Sequence, residues 1–138
     1  MGNTREKYDS GNHTVYRCSY HVVFCPKYRR KVLVDKVAER LKVLFYETAK
    51  ERGFSIESLE IMPDHVHALL FVPPWIKITT ALKYLKGKSS RILSLEFPDI
   101  KKKVPTLWSH SKFVSTIGNV SEGVVKQYIE SQTWSKTH

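Results

Sequence analysis

Two extended runs, residues 54–62 (FSIESLEIM) and 65–72 (HVHALLFV), are separated only by Pro63 and Asp64, and this spacing constrains the fold more than any other feature of the chain. So short a connector makes the two strands antiparallel neighbours in a hairpin, and the flanking segments must be arranged around it. Upstream, residues alternate from His13 to Cys25, with Tyr16, Cys18, Tyr20, Val22 and Phe24 on one side and Arg17, Ser19 and His21 on the other. That pattern predicts a strand with one buried face, ended by Pro26. The period then changes: Val34, Val37, Ala38, Leu41, Leu44, Phe45, Thr48 and Ala49 recur at helical spacing, predicting a helix over 35–52 with Asp35 as N-cap and Gly53 as its stop. After Pro73 and Pro74, the positions Ile78, Ala81, Leu82, Leu85, Ile92 and Leu93 form a second apolar stripe, with Lys83, Lys86, Lys88 and Arg91 mostly off it. This second helix is basic, with strain expected at Gly87. A loop rich in lysine (Lys101, Lys102, Lys103) leads past Trp108 to a short strand near 112–117. Asn119 and Glu122 then give a capping-box-like start to a last helix over about 120–132.

The order strand, helix, strand, strand, helix, strand, helix is the α+β, ferredoxin-like split pattern with an appended C-terminal helix. The expectation is one domain over residues 1–138, with 1–12 as a flexible tail; no repeat, low-complexity tract or linker divides it. In such a sheet both helices cover one face. Val66, Ala68, Leu70 and Val72 make the better core face of their strand, which leaves His65 and His67 on the open side.

Lys and Arg number 23 against 13 Asp and Glu, a formal charge of +10. An excess of that size favours a polyanionic partner, nucleic acid first and an anionic membrane surface second, although it also serves solubility alone. No stretch approaches the ~18 uninterrupted apolar residues of a membrane helix, and the start MGNTREKYDSGNHT is unlike a secretory signal. Cys18 and Cys25, seven residues apart on one strand, stand ~23 Å from each other at ~3.3 Å per residue, beyond the ~7 Å a disulfide spans. Two unpaired thiols suit a reducing cytoplasm, the expected location.

His65-Val66-His67 is the most informative triplet. Residues i and i+2 on a strand project to the same side, so two imidazoles can converge on one metal ion; taken alone, they can equally be two hydrogen-bonded or exposed histidines. Asp64 offers an oxygen ligand, a partner that orients an imidazole, or an Asx turn. Tyr128 and Gln132 share a helix face at i, i+4, so a metal held by Gln132 would sit beside the Tyr128 hydroxyl. A helical tyrosine is commonly packing, and as a nucleophile it needs activation, its phenol being protonated at neutral pH.

The segments YHVVFCPKYRRKVL (20–33), MPDHVHALLFV (62–72), KGKSSRIL (86–93), LWSHSKFVSTIG (107–118) and VKQYIESQ (125–132) together resemble the single-tyrosine HUH transposases of the smallest bacterial and archaeal insertion sequences, in the family's order and over nearly the whole chain. His110, where a proline or another uncharged residue is expected, and the short tail after Gln132 depart from the pattern. The resemblance implies a homodimeric transposase that cuts and rejoins single-stranded DNA at hairpin-marked ends. His65, His67 and Gln132 match its ligands for Mg²⁺ or Mn²⁺, and Tyr128 matches its nucleophile, giving a 5′-phosphotyrosine and a free 3′-hydroxyl. The reaction conserves phosphodiester energy, so no nucleotide cofactor is needed, and no P-loop is present. Arg17, Lys27, Arg29, Arg30, Lys31, Lys83, Lys86, Lys88 and Arg91 are candidate DNA contacts, and Trp75, Trp108 and Trp134 are core or interface candidates. A second reading is a domesticated relative or a non-catalytic nucleic-acid binder on the same fold.

Overall fold

The computed structural model describes residues 9–10, 13–14, 18–116 and 127–132. Asp9–Ser10 (β1) pairs antiparallel with His13–Thr14 (β2) as a separate small ribbon. The main sheet is built from Cys18–Phe24 (β3), Ser55–Met62 (β4), His65–Val72 (β5) and Phe113–Thr116 (β6), in the spatial order β4-β5-β3-β6 with every pair antiparallel. Two helices, Asp35–Arg52 (α1) and Ile78–Glu96 (α2), make the crossovers. The ferredoxin-like α+β arrangement is therefore the one the periodicities require, with the hairpin turning at Pro63–Asp64 and Met62 opposite His65.

Apolar side chains decide which face the helices cover. Val22 and Phe24 of β3 and Val66, Ala68, Leu70 and Val72 of β5 are buried against Leu41, Leu44, Phe45 and Ala49 of α1 and Ala81, Leu82, Leu85 and Leu93 of α2. At about 1.5–3 kcal/mol for each large aliphatic or aromatic side chain, this interface is the main force holding the layers together. Trp108 closes it edge-on to Phe24, with ring centroids 4.9 Å apart, and its indole N–H donates to Ser89 Oγ at 2.9 Å. Ser89 in turn donates to the Leu85 carbonyl at 2.6 Å, so the buried polar atoms of this corner are satisfied.

Several local expectations are corrected. The expected strand from His13 to Cys25 is described in two pieces, His13–Thr14 paired with β1 and Cys18–Phe24 in the main sheet, with 15–17 outside the described residues. Cys18, at the end of its paired segment, is exposed, while Cys25 is buried, and both are free thiols. Asp35 is not the N-cap: Val34 holds that position in extended backbone, and Asp35 opens the first turn at φ 52°. Residues 99–103 are a short helix, Asp99–Lys103 (α3), rather than a loop, because Ile100 is buried and anchors it. Trp75 is 78% exposed and belongs to no core. Tyr16, Arg17, Asn119, Glu122, Trp134 and most of the expected tail at 1–12 lie outside the described residues, as does the last helix except at 127–132.

Gly53 ends α1 at φ 84°, a left-handed position that glycine adopts without Cβ strain. Gly87 shows no strain: α2 runs through it, and a Cβ there meets nothing within 4 Å. Gly87→Ala is therefore expected to stabilise the protein by about 0.5–1 kcal/mol, read as a higher urea midpoint at unchanged slope. A lower midpoint would mean that the helix is distorted there.

Candidate active site

β5 carries His65 and His67 on the face away from the helices, since the alternate residues Val66, Ala68, Leu70 and Val72 are committed to the core. The turn residue Asp64 orients the first imidazole: its Oδ1 lies 2.9 Å from His65 Nδ1. A carboxylate only accepts, so His65 Nδ1 is the donor of this bond, and Nε2 is the atom left to offer a lone pair when the ring is neutral. His67 Nδ1 stands 3.7 Å from Glu60 of the paired strand β4. Burial lowers the His67 pKa from the usual imidazole value, with the positive forms of His21 and His65 adding to the effect and Glu60 opposing it. Its neutral form, the one able to donate a lone pair to a cation, is thus favoured.

His21 on β3 is the neighbour across the sheet, with ring centroids 5.8 Å from His67, and its Nδ1 is buried without a hydrogen-bond partner among the described residues. Alternation had placed it on this face without any assigned role.

Arg29 is reached through a tight turn. After Pro26 a 3₁₀ turn at Lys27–Arg29 puts two consecutive non-glycine residues in the left-handed region, Tyr28 at φ 61° and Arg29 at φ 52°. Each such residue costs about 1–2 kcal/mol. The turn aims the guanidinium at two elements: Arg29 Nε is 3.1 Å from Asp64 Oδ2, and Nη1 donates to the Ile129 carbonyl at 3.4 Å. Arg29 was a candidate DNA contact, but its described partners are within the protein.

The helical residues 127–132 are held from the other side by the segment that precedes β6. Ser109 N–H donates to the Cys25 carbonyl at 2.9 Å, and Lys27 N–H to the Leu107 carbonyl at 2.8 Å, which fastens this segment beside the end of β3. The hydroxyls of Ser109 and Ser111 then both donate to Gln132 Oε1, at 2.7 and 2.6 Å. Ser111 Oγ also lies 3.3 Å from the Tyr128 hydroxyl, and the Phe113 ring packs 6.0 Å from the Tyr128 ring. Lys86 completes the cluster by donating to the Ser109 carbonyl at 2.9 Å. Tyr128 and Gln132 thus share a helix face, as their spacing requires. Sequence reasoning missed both serines; the S-x-S spacing just before a strand was the available signal.

Burial dominates the titration of this cluster. It pushes the Tyr128 phenol up to about 12, against the smaller lowering effect of the Ser111 hydrogen bond, and the Cys25 thiol up to about 12, with Asp64 adding to the rise. A free phenol titrates near 10, so the fold favours protonated Tyr128; that stabilisation is complete below pH 10 and is lost as pH climbs toward 12. Phenolate absorbance is expected to include a tyrosine that ionises about two units late and is missing from the titration of Tyr128→Phe. A normal value for that residue would contradict the buried seat.

The two imidazoles suit a divalent cation: they lie on one strand face, one is tautomerically fixed and one favours its neutral form. The Gln132 oxygen does not at present face outward, because both its lone pairs are used by serine hydroxyls. Among the described residues no group of three His, Cys, Asp or Glu side chains gathers around one point.

The family profile described as transposase IS200-like matches residues 14–132. The chain belongs to the IS200-like transposase family. ISDra2 transposase TnpA of Deinococcus radiodurans is 38% identical over 124 residues, covering 88% of this chain and 89% of that protein. The transposase for insertion sequence element IS200 of Salmonella typhimurium is 33% identical over 122 residues, 87% of this chain and 80% of its own. Among solved structures, a transposase of Deinococcus radiodurans superposes with a TM-score of 0.80 at 36% identity, covering 96% of this chain and 98% of that one. A REP-associated tyrosine transposase bound to a REP hairpin shares the fold at TM-score 0.57 and 16% identity, over 95% of this chain and 68% of its own.

Of the other basic residues expected to meet DNA, Arg30 and Lys31 are exposed beside the Arg29 turn, while Lys27 Nζ lies 5.6 Å from the Tyr28 ring. Lys88 is engaged by Glu51 at 3.0 Å and Glu47 at 3.8 Å, and Arg91 lines the cleft between α1 and α2. No helix of the described residues is long and apolar enough to cross a membrane.

Proposed function

We propose that this IS200-like transposase cleaves and rejoins single-stranded DNA at hairpin-marked ends through a phosphotyrosine at Tyr128, as a homodimer. The observation that carries the reading is the meeting of three elements: Asp64-oriented His65 on β5, Arg29, and the helix bearing Tyr128 and Gln132, joined by one guanidinium. A likeness in fold to a transposase bound to a hairpin supports the hairpin as partner, and the +10 charge supports a polyanion.

His65 and His67 would hold Mg²⁺ or Mn²⁺, with Gln132 joining once its serine bonds are exchanged. The bound cation supplies Lewis-acid polarisation of the scissile phosphate. The remaining chemistry is carried by the chain. Asp64 fixes the His65 tautomer. Tyr128 Oη attacks phosphorus in line, forming the tyrosyl O–P bond as the P–O3′ bond breaks; the phenolic proton is lost and the departing 3′-oxygen gains one, so no net proton is consumed. A 3′-hydroxyl attacking the same phosphorus reverses the exchange, and joining needs no nucleotide. Ser111, within 3.3 Å of the phenol, is the near group able to accept its hydrogen bond.

Incubating the protein with labelled single-stranded hairpin DNA and Mg²⁺, then separating under denaturing conditions, tests this: a covalent protein–DNA band supports it, and its absence with intact binding favours a non-catalytic binder. Sedimentation that returned a monomer at micromolar concentration, with and without DNA, would refute the dimer.

A further inference from the structure

A cavity of about 360 Å³ opens between α2 and the segment leading to β6, walled by Lys83, Lys86, His110 and Lys112, with Gly87 and Trp108 also lining it. No Asp or Glu is among its lining residues in the described part of the chain. Several other basic side chains are instead paired with carboxylates. Arg29 is paired with Asp64, Arg40 with Glu96, and Lys102 with Asp99. The neighbouring cleft of about 480 Å³ between α1 and α2 is basic too, but Glu51 lines it and binds Lys88. In the first cavity positive groups face one another instead. Burial and the repulsion of Lys112 hold the Lys86 ammonium down to about 8. An anion would relieve both effects. Gly87 leaves room for one, since a Cβ at that position would find open space rather than protein.

We infer that this cavity is a subsite for one internucleotide phosphate of the bound DNA strand, with Lys83 and Lys112 as its charged walls. The inference rests on the strand-transfer reading for its ligand and extends it by fixing where the strand is gripped. The position is consequential because Lys86 touches both the cavity and the nucleophile's seat. Its ammonium is bonded to the Ser109 carbonyl at 2.9 Å and the Ser111 carbonyl at 3.4 Å, and the hydroxyls of those serines hold Gln132 and approach Tyr128. A phosphate in the cavity therefore sits one residue away from the group that positions the nucleophile.

Fluorescence anisotropy with a labelled single-stranded hairpin oligonucleotide, in a Tyr128→Phe background that removes chemistry, tests the subsite. Lys83→Gln with Lys112→Gln is expected to weaken binding about 10-fold and to flatten the log–log salt dependence by about one unit, the signature of one lost phosphate contact. Lys42→Gln with Lys50→Gln removes the same charge from exposed positions on α1 and is expected to stay within about 2-fold of the parent. Equal losses from the two pairs would overturn the subsite in favour of diffuse attraction. Gly87→Glu, which places a carboxylate beside the cavity at a position tolerant of a side chain, is expected to reproduce the lysine pair's effect, and unchanged affinity there would also overturn it. The two proposals fail separately. A covalent adduct from the parent protein together with an unchanged salt slope in the lysine variant sinks the subsite alone. A flattened slope with no adduct from the parent protein sinks the strand-transfer reading alone.

Discussion

Tyr128→Phe is expected to fold, to bind hairpin DNA as the parent does, and to form no covalent adduct, with cleavage falling by roughly 10⁴-fold or more, as when an essential nucleophile is deleted. Phenylalanine keeps the ring that packs against Phe113 and removes only the hydroxyl that Ser111 approaches. Packing and chemistry are thereby separated in one substitution. Tyr84→Phe is the matched control. That ring lies under Arg52, with the guanidinium 4.1 Å from its centroid, on the helix layer of the fold. Denaturing electrophoresis and filter binding on the same preparation read both quantities. A persistent tyrosine-linked adduct in Tyr128→Phe would move the nucleophile to another residue and remove the central correspondence with the family.

Replacing either His65 or His67 with alanine is expected to reduce cleavage by at least about 10³-fold while leaving hairpin affinity within a few-fold, because transition-state polarisation by the cation amounts to several kcal/mol and affinity comes mainly from cationic contacts to phosphate. Chelation of divalent metal should reproduce the loss, and added Mg²⁺ should restore it only in the parent. The control is built into the sheet. Glu60→Gln alters a carboxylate that is 3.7 Å from His67 and largely exposed, so a modest effect is expected there. A cleavage-competent His67→Ala protein would count against a shared ion.

The architecture was legible because it is set by short connections and period changes. Pro63–Asp64 dictated the hairpin, and the stripe from Val37 to Ala49 gave α1 its limits of Asp35–Arg52. What failed was decided by tertiary contact. Lys101–Lys103 reads as a solvated loop until Ile100 is seen buried beneath it, and Asp35 reads as a cap until the backbone places Val34 there. In the candidate site, alternation put His65 and His67 on the open face, and i, i+4 spacing put Tyr128 with Gln132. The serine clamp on Gln132 and the internal pairing of Arg29 were illegible for a different reason. Each joins residues that are distant in the chain, and hydroxyl or guanidinium partners leave no periodic trace in the sequence. A run such as Lys27–Lys31 looks uniformly like a DNA patch, although its central arginine is turned inward.

The left-handed turn at Tyr28 and Arg29 gives the protein a thermodynamic link between its two halves. Arg29 divides itself between a carboxylate beside the first histidine and a carbonyl beside the tyrosine. Linkage is reciprocal: whatever strengthens the guanidinium's hold at one end by a given free energy changes the docking of the other end by the same amount. Any coupling between the seat of the Tyr128 helix and the Asp64–His65 pair would run through this guanidinium, which a backbone conformation unfavourable in isolation holds between them.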